Sequence, residues 1–232
     1  MQYNISPETL VSGKKKEGLI NKILDGKVSN NTKYCMTPNG AFFKKDKKGF
    51  LPEMMEKMYD DRVKYKKLML EAQQKYEDTK DRNLLKDISR YNNIQMAKKI
   101  SLNSAYGAIG NSWFRYFDLR NAEAITTSGQ LSIRWIEKKL NKYLNNLLKT
   151  KGEDYVIASD TDSVYITFEH FISKVFAEGT ETSKIISFLD KVAKNKLEPF
   201  IDRSYDELAK TVGAYEQKMK MTPSNYQQLR KQ

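Results

Sequence analysis

"YVIASDTDSVYITF", residues 155–168, sets two runs of apolar and β-branched residues on either side of Asp160-Thr161-Asp162. Short runs rich in Val, Ile, Tyr and Thr read as strands. The spacing therefore predicts a β-hairpin with strands at 154–159 and 163–168. The corner contains no Gly, Pro or Asn to shape it. At the tip the two carboxylates repel and raise each other's pKa unless a cation lies between them. Mg²⁺, a hard ion held by one or two carboxylates together with substrate phosphates, suits such a corner. A solvated turn accounts for an isolated Asp-x-Asp as well, so the flanking sequence has to decide.

Upstream, no Gly or Pro occurs between Pro52 and Tyr106, and good helix formers fill the stretch. Met55, Met58, Tyr65, Met69 and Ala72 follow a helical stripe, and "EDTKDRN" (77–83) is the natural break. A second helix is expected from about 84 to 106, ending at Gly107. The simplest arrangement is an antiparallel two-helix hairpin that protrudes, because two helices alone have little core; a plain helical bundle fits the same periodicity. Lys99, Asn103 and Tyr106 share one face of the second helix, and Arg62 and Lys66 share a face of the first. Together they can line a groove offering charge for phosphates, a guanidinium fork and an aromatic ring. Solvated helix surface is the usual fate of such residues, and spacing alone leaves both readings open.

Elsewhere, Asn39-Gly40 and "KDKKG" (45–49) are turn signals around a short strand in "AFFKK", and a short helix is expected near 17–25. Residues 107–119 read as loop and strand. A long helix follows at about 121–148, where Ile133, Ile136, Leu140, Tyr143, Leu144 and Leu147 recur at helical spacing. Further helices are expected near 182–198 and 199–212, joined through a kink at Pro199. The sum is an α+β fold, with helices packed on one face of a small antiparallel sheet and a helical hairpin standing out from it.

The chain of 232 residues carries 41 Lys and Arg against 29 Asp and Glu, a net charge of +12 that points to a polyanionic partner. A single cysteine, Cys35, rules out an internal disulfide and suits a reducing compartment. The lone histidine, His170, argues against zinc. No apolar run reaches the ~20 residues needed to span a bilayer, and the start lacks the apolar core of a signal peptide, so a soluble intracellular protein is expected.

"KKISLNSAYGAIGN" (98–111) resembles the fingers-helix motif of family B DNA polymerases, and "SDTDSVYI" (159–166) resembles their palm metal motif. "YNISPETL" (3–10), "SWFRYFDLRNAEAITTSGQLSIRWIEKKLNKYLN" (112–145) and "LEPFIDRSYDEL" (197–208) are similar to the replicative polymerases of large tailed bacteriophages. The resemblance covers nearly all of 3–210, in order. It implies palm at 1–50, fingers at 51–106, palm again at 107–215, and a divergent tail at 216–232. By the same resemblance Arg62, Lys66 and Lys99 face the triphosphate of an incoming dNTP, and Asn103 supports those phosphates. Tyr106 packs beneath the nascent base pair, and Gly107 leaves room for it. Asp162 is the principal metal ligand, with Asp160 beside the site in a less direct role, and two Mg²⁺ ions are expected in the assembled enzyme. DNA primer-template is the implied partner, and the cytoplasm of an infected bacterial cell the implied location.

The sequence also departs from that family. A further palm motif, with a metal-binding aspartate and the tyrosine that excludes ribonucleotides, is absent before "NISPE", as are an exonuclease domain and a thumb. Ala158 and Ser159 stand where Tyr and Gly are common. The expectation is a palm-and-fingers piece that works only with companion chains supplying the missing aspartate, exonuclease and thumb. A non-catalytic nucleic-acid-binding remnant, or an inactive truncated product, is the alternative.

Overall fold

The computed structural model describes residues 1–13, 18–177 and 179–222. Strand β1 (Leu10–Gly13), helix α1 (Leu19–Leu24), and strands β2 (Cys35–Met36) and β3 (Ala41–Phe43) come first. The long helices α2 (Phe50–Thr79), α3 (Leu84–Ile109) and α4 (Leu119–Leu148) follow. Strands β4 (Val156–Asp160) and β5 (Ser163–Ile166) precede helices α5 (Glu169–Val175), α6 (Thr182–Val192) and α7 (Glu198–Val212). The fold is α+β with antiparallel strands, as expected. Among the described residues those strands form two sheets rather than one: β1-β3-β2 and the β4-β5 hairpin.

Helix α4 is the spine. Ala124, Leu131, Ile136, Leu140 and Leu144, spread along its length, are all buried. They meet Ile201, Tyr205, Leu208 and Val212 of α7, Leu19 and Ile23 of α1, and Phe43 of β3 in a single core. The Trp135 indole N–H donates to the Ser204 carbonyl at 2.8 Å, and Tyr143 stacks on Phe200 with centroids 4.2 Å apart. Asp118 caps the start of α4 by accepting from the Arg120 N–H at 2.9 Å, satisfying a donor that has no partner within the helix. Its carboxyl is held below the usual range by the Arg120 guanidinium that binds it. At the Asn39-Gly40 turn, Gly40 takes φ +86°, a conformation open chiefly to glycine.

The hairpin α2–α3 projects from this body. Along both arms only Leu51, Pro52, Ala72, Gln95 and Ile109 are buried. The root of α2 is fastened by side chains from far upstream. Asn4 Oδ1 accepts from Gly49 N–H at 2.8 Å, Glu8 Oε1 from Phe50 N–H at 2.6 Å, and Ser6 Oγ from Leu51 N–H at 3.4 Å. A Cβ on Gly49 would lie 2.5 Å from the Ser6 Cβ, so the close approach of these segments demands glycine there.

Several boundaries differ from the sequence expectation. Helix α3 passes through Gly107 to Ile109, because Ile109 is buried against Leu51 and Ala122; that burial outweighs the ~1 kcal/mol cost of an interior glycine. Residues 110–118 form turns without a strand. Helix α5 was not expected, and its Phe171 packs on Phe188 of α6 with centroids 5.8 Å apart. A π-helical turn, Ala193–Leu197, joins α6 to α7 in place of a break at Pro199. Pro199 lies in the first turn of α7, directly after the π-helical turn. Of the divergent tail, residues 223–232 lie outside the described residues.

Candidate nucleotide site

Asp160 ends β4 and pairs with Ser163, so Thr161 and Asp162 alone make the hairpin turn. Thr161 holds φ +46°, and the Asp162 N–H donates back to the Asp160 carbonyl. Such an i→i+2 turn with positive φ is rare and strained, the more so at a β-branched residue. The strain is of order 1–3 kcal/mol and belongs to a class of distortion that clusters at functional sites. Asp160 accepts from the Thr161 hydroxyl at 3.0 Å. The Asp162 carboxylate makes no side-chain hydrogen bond or ion pair among the described residues, and both aspartates are exposed.

Two exposed carboxylates on one tight turn form a hard-oxygen donor set that fits a divalent cation. They are an incomplete set: no group of three or more His, Cys, Asp or Glu that could hold a metal occurs among the described residues.

On the helical hairpin, buried Ala72 and Gln95 mark the seam between the arms. At about 100° per residue, Arg62 and Lys66 lie roughly 80° and 120° round α2 from Ala72. Lys99, Tyr106 and Asn103 lie about 40°, 20° and 80° round α3 from Gln95, in the same rotational sense. In an antiparallel pair the same sense of rotation leads to the same side, so the five residues share one face of the hairpin. The Asp61–Lys98 ion pair, 2.7 Å long, is displaced in the opposite sense and ties the arms together on the reverse face. Its hydrogen bond from Lys98 holds the Asp61 carboxyl below the usual range.

Arg62, Lys66 and Lys99 have no carboxylate partner among the described residues. Arg62 is half-buried, and its Nε is buried without a hydrogen-bond partner; Lys66, Lys99, Asn103 and Tyr106 are exposed. A Cβ built on Gly107 would meet nothing within 4 Å, so its backbone faces open space.

Helix α4 relates the two features. Near its start, Tyr106 Oη lies 2.9 Å from Thr126 Oγ1, whose hydroxyl is also 3.0 Å from the Ala122 carbonyl. Further along, Asn145 Oδ1 accepts from Glu153 N–H, and Asn141 Oδ1 accepts from both Tyr155 and Val156 N–H, each at 3.0 Å. The chain leaving α4 therefore doubles back along it, and β4 heads toward the end where Tyr106 is docked. No hydrogen bond or ion pair joins the aspartates to Arg62, Lys66 or Lys99 among the described residues.

Two features escaped the sequence reading. Tyr106 and Thr126 line a cavity of about 530 Å³ with Leu19, Asn39, Leu119 and Ala122. Thr126 carries no sequence signal, being one hydroxyl in a long amphipathic helix. The turns after α3 display Trp113, 93% exposed, beside Phe114, Tyr116 and Phe50, whose successive ring centroids are 5.7 Å apart. The aromatic residues were visible in the sequence, but their exposure was not.

The sequence model of DNA polymerase family B matches residues 1–206. The DNA-directed DNA polymerase of Escherichia phage RB69 is 34% identical over 249 residues, an alignment covering 89% of this chain and 28% of the phage protein. That of Enterobacteria phage T4 is 33% identical over 263 residues, covering 95% of this chain and 29% of that protein. The DNA polymerase delta catalytic subunit of Caenorhabditis elegans is 29% identical over 163 residues, 68% of this chain and 14% of the subunit. The chain spans less than a third of the length of these relatives.

Proposed function

The chain belongs to DNA polymerase family B, and on that premise we propose that it forms the palm and fingers of a phage DNA-directed DNA polymerase. In this reading it positions a dNTP for attack by a primer 3′-hydroxyl. Residues 1–50 and 107–215 are palm, and 51–106 are fingers. The observation that carries the reading is the sorting of charge on the hairpin: Lys98 is paired on the reverse face, while Arg62, Lys66 and Lys99 share the other face with no carboxylate partner among the described residues.

Unpaired cations on one face suit a triphosphate. Arg62 binds its oxygens through the guanidinium fork, Lys66 and Lys99 neutralise them, and Asn103 holds the phosphates by hydrogen bonding. Tyr106, fixed by Thr126, packs under the nascent base pair, and Gly107 keeps the approach to it open. Asp162, with Asp160 beside it, would hold a divalent cation, which we take to be Mg²⁺. Bound there, such ions supply charge neutralisation at the attacking and leaving oxygens of phosphoryl transfer.

We assign the remaining metal ligand, together with exonuclease and thumb, to a companion polypeptide. The partners are primer-template DNA, dNTPs and that companion polypeptide, in the infected host cell. No helix among the described residues is long and apolar enough to cross a membrane.

Primer extension by this chain, combined with a polypeptide carrying the remaining polymerase segments and Mg²⁺, tests the reading. Extension is expected, and Asp162→Asn should reduce it at least about a hundredfold while leaving the fold intact. Undiminished extension by Asp162→Asn would remove the aspartate turn from the chemistry.

A further inference from the structure

Beyond α7 the chain crosses back over the body. Tyr215 N–H donates to the Gln2 carbonyl at 3.0 Å. The N–H groups of Lys218 and Met219 lie 3.2 and 3.3 Å from Gln2 Oε1, and Gln2 itself is buried. Met219 packs against the core. The strap ends at the root of the helical hairpin, where Lys218 Nζ pairs with Glu56 Oε1 at 2.7 Å. The other oxygen of the same carboxylate, Oε2, pairs with Lys48, in the turn before α2. Glu216 Oε1 holds Lys218 from behind at 2.7 Å. The side chains of Lys48, Glu56 and Lys218 are only 24–33% exposed, so this alternating network is screened less than a surface pair.

Two kinds of contact anchor the hairpin. The N–H groups capped by Asn4, Ser6 and Glu8, and the packing of Ile109 on Ala122, depend on close fits that tolerate little displacement. The Glu56 contacts differ, because each carboxylate oxygen holds one lysine and both lysines end flexible stems. A tilt of α2 that lengthens one ion pair can keep the other.

We infer that Lys218 is an adjustable latch on the hairpin: through Glu56 it couples the strap at 215–219 to the second turn of α2 and limits how far the hairpin tilts. The latch rests on the reading of α2–α3 as fingers that move over a nucleotide, since hinged closure of such an element calls for a root that yields without letting go.

The test uses the chain alone, without DNA or nucleotide, so that a failed latch and a failed polymerase reading are told apart. Nitroxide labels at Asn83→Cys, beside the hairpin tip, and Asn146→Cys, on α4, report the tip-to-body distance by pulsed electron paramagnetic resonance. Both sites are exposed, whereas Cys35 is fully buried and takes no label. Lys218→Ala and Glu56→Gln should each broaden the distance distribution, the double variant should be no broader than Glu56→Gln, and Lys218→Arg should restore the wild-type width. Amide exchange at the second and third turns of α2 should quicken about two- to fivefold in Lys218→Ala. Should Lys218→Ala lose helical signal, Lys218→Gln carries the same comparison. An unchanged width in the Lys218 variants overturns the latch, including the case where Glu56→Gln alone broadens it, which would assign the restraint to Lys48. Single effects that simply add in the double variant overturn it as well.

Discussion

Lys98 and Lys99 are neighbours of the same residue type, and their difference in role follows from one step of about 100° round a helix. That step sends Lys98 to Asp61 on the reverse face and leaves Lys99 on the side of Arg62 and Tyr106. A comparable contrast holds at the aspartate turn, where Asp160 and Asp162 are separated by a threonine in a backbone conformation it disfavours. Glycine carries no Cβ penalty at that φ. Thr161→Gly should therefore relieve the strain there, and the gain should be smaller than the strain because glycine also widens the unfolded ensemble. The expected net stabilisation is at most about 1 kcal/mol, read from denaturant unfolding, with primer extension reduced as the aspartates lose their fixed spacing. A Thr161→Gly protein less stable than the parent would mean that the turn is not strained.

At the scale of elements, burial is spread unevenly along the chain. Helix α4 supplies the core, whereas α2 and α3 bury almost nothing outside their roots. Leu140→Ala should cost about 2–5 kcal/mol in chemical denaturation, and Lys66→Ala less than about 0.5 kcal/mol. A large loss on Lys66→Ala would show that the free cations hold the hairpin together. These elements were legible because their signals are local: α4 repeats Ile133, Ile136, Leu140, Tyr143 and Leu144 at helical spacing, and Asn39-Gly40 marks its turn unaided. Where the sequence reading fell short, tertiary contact decides. Ile109 draws α3 past Gly107 by docking on Leu51 and Ala122, and the seven residues of α5 rest on a ring contact with Phe188. The candidate site divides in the same way. Asp160, Asp162, Arg62, Lys66, Lys99, Asn103 and Tyr106 could be picked out by type and spacing, but Thr126 is linked to Tyr106 only by the fold.

For the molecule as a whole, the decisive relation is between the two features joined by α4. The chain doubles back after α4, so that β4 starts beside Asn141 and heads toward the end of α4 where Tyr106 is docked. A net charge of +12 favours any polyanion, in a salt-dependent way; recognition of a nucleotide requires charge in one place. The most direct test is a paired measurement on Arg62→Ala and Lys99→Ala in the assembled enzyme: the KM for dNTP, and the Kd for primer-template at fixed salt. Each lost charge-assisted contact should raise KM about tenfold to a hundredfold while Kd changes by less than about twofold. Weakened DNA binding with KM unchanged would contradict the account, because the cationic face would then grip the duplex and not the nucleotide.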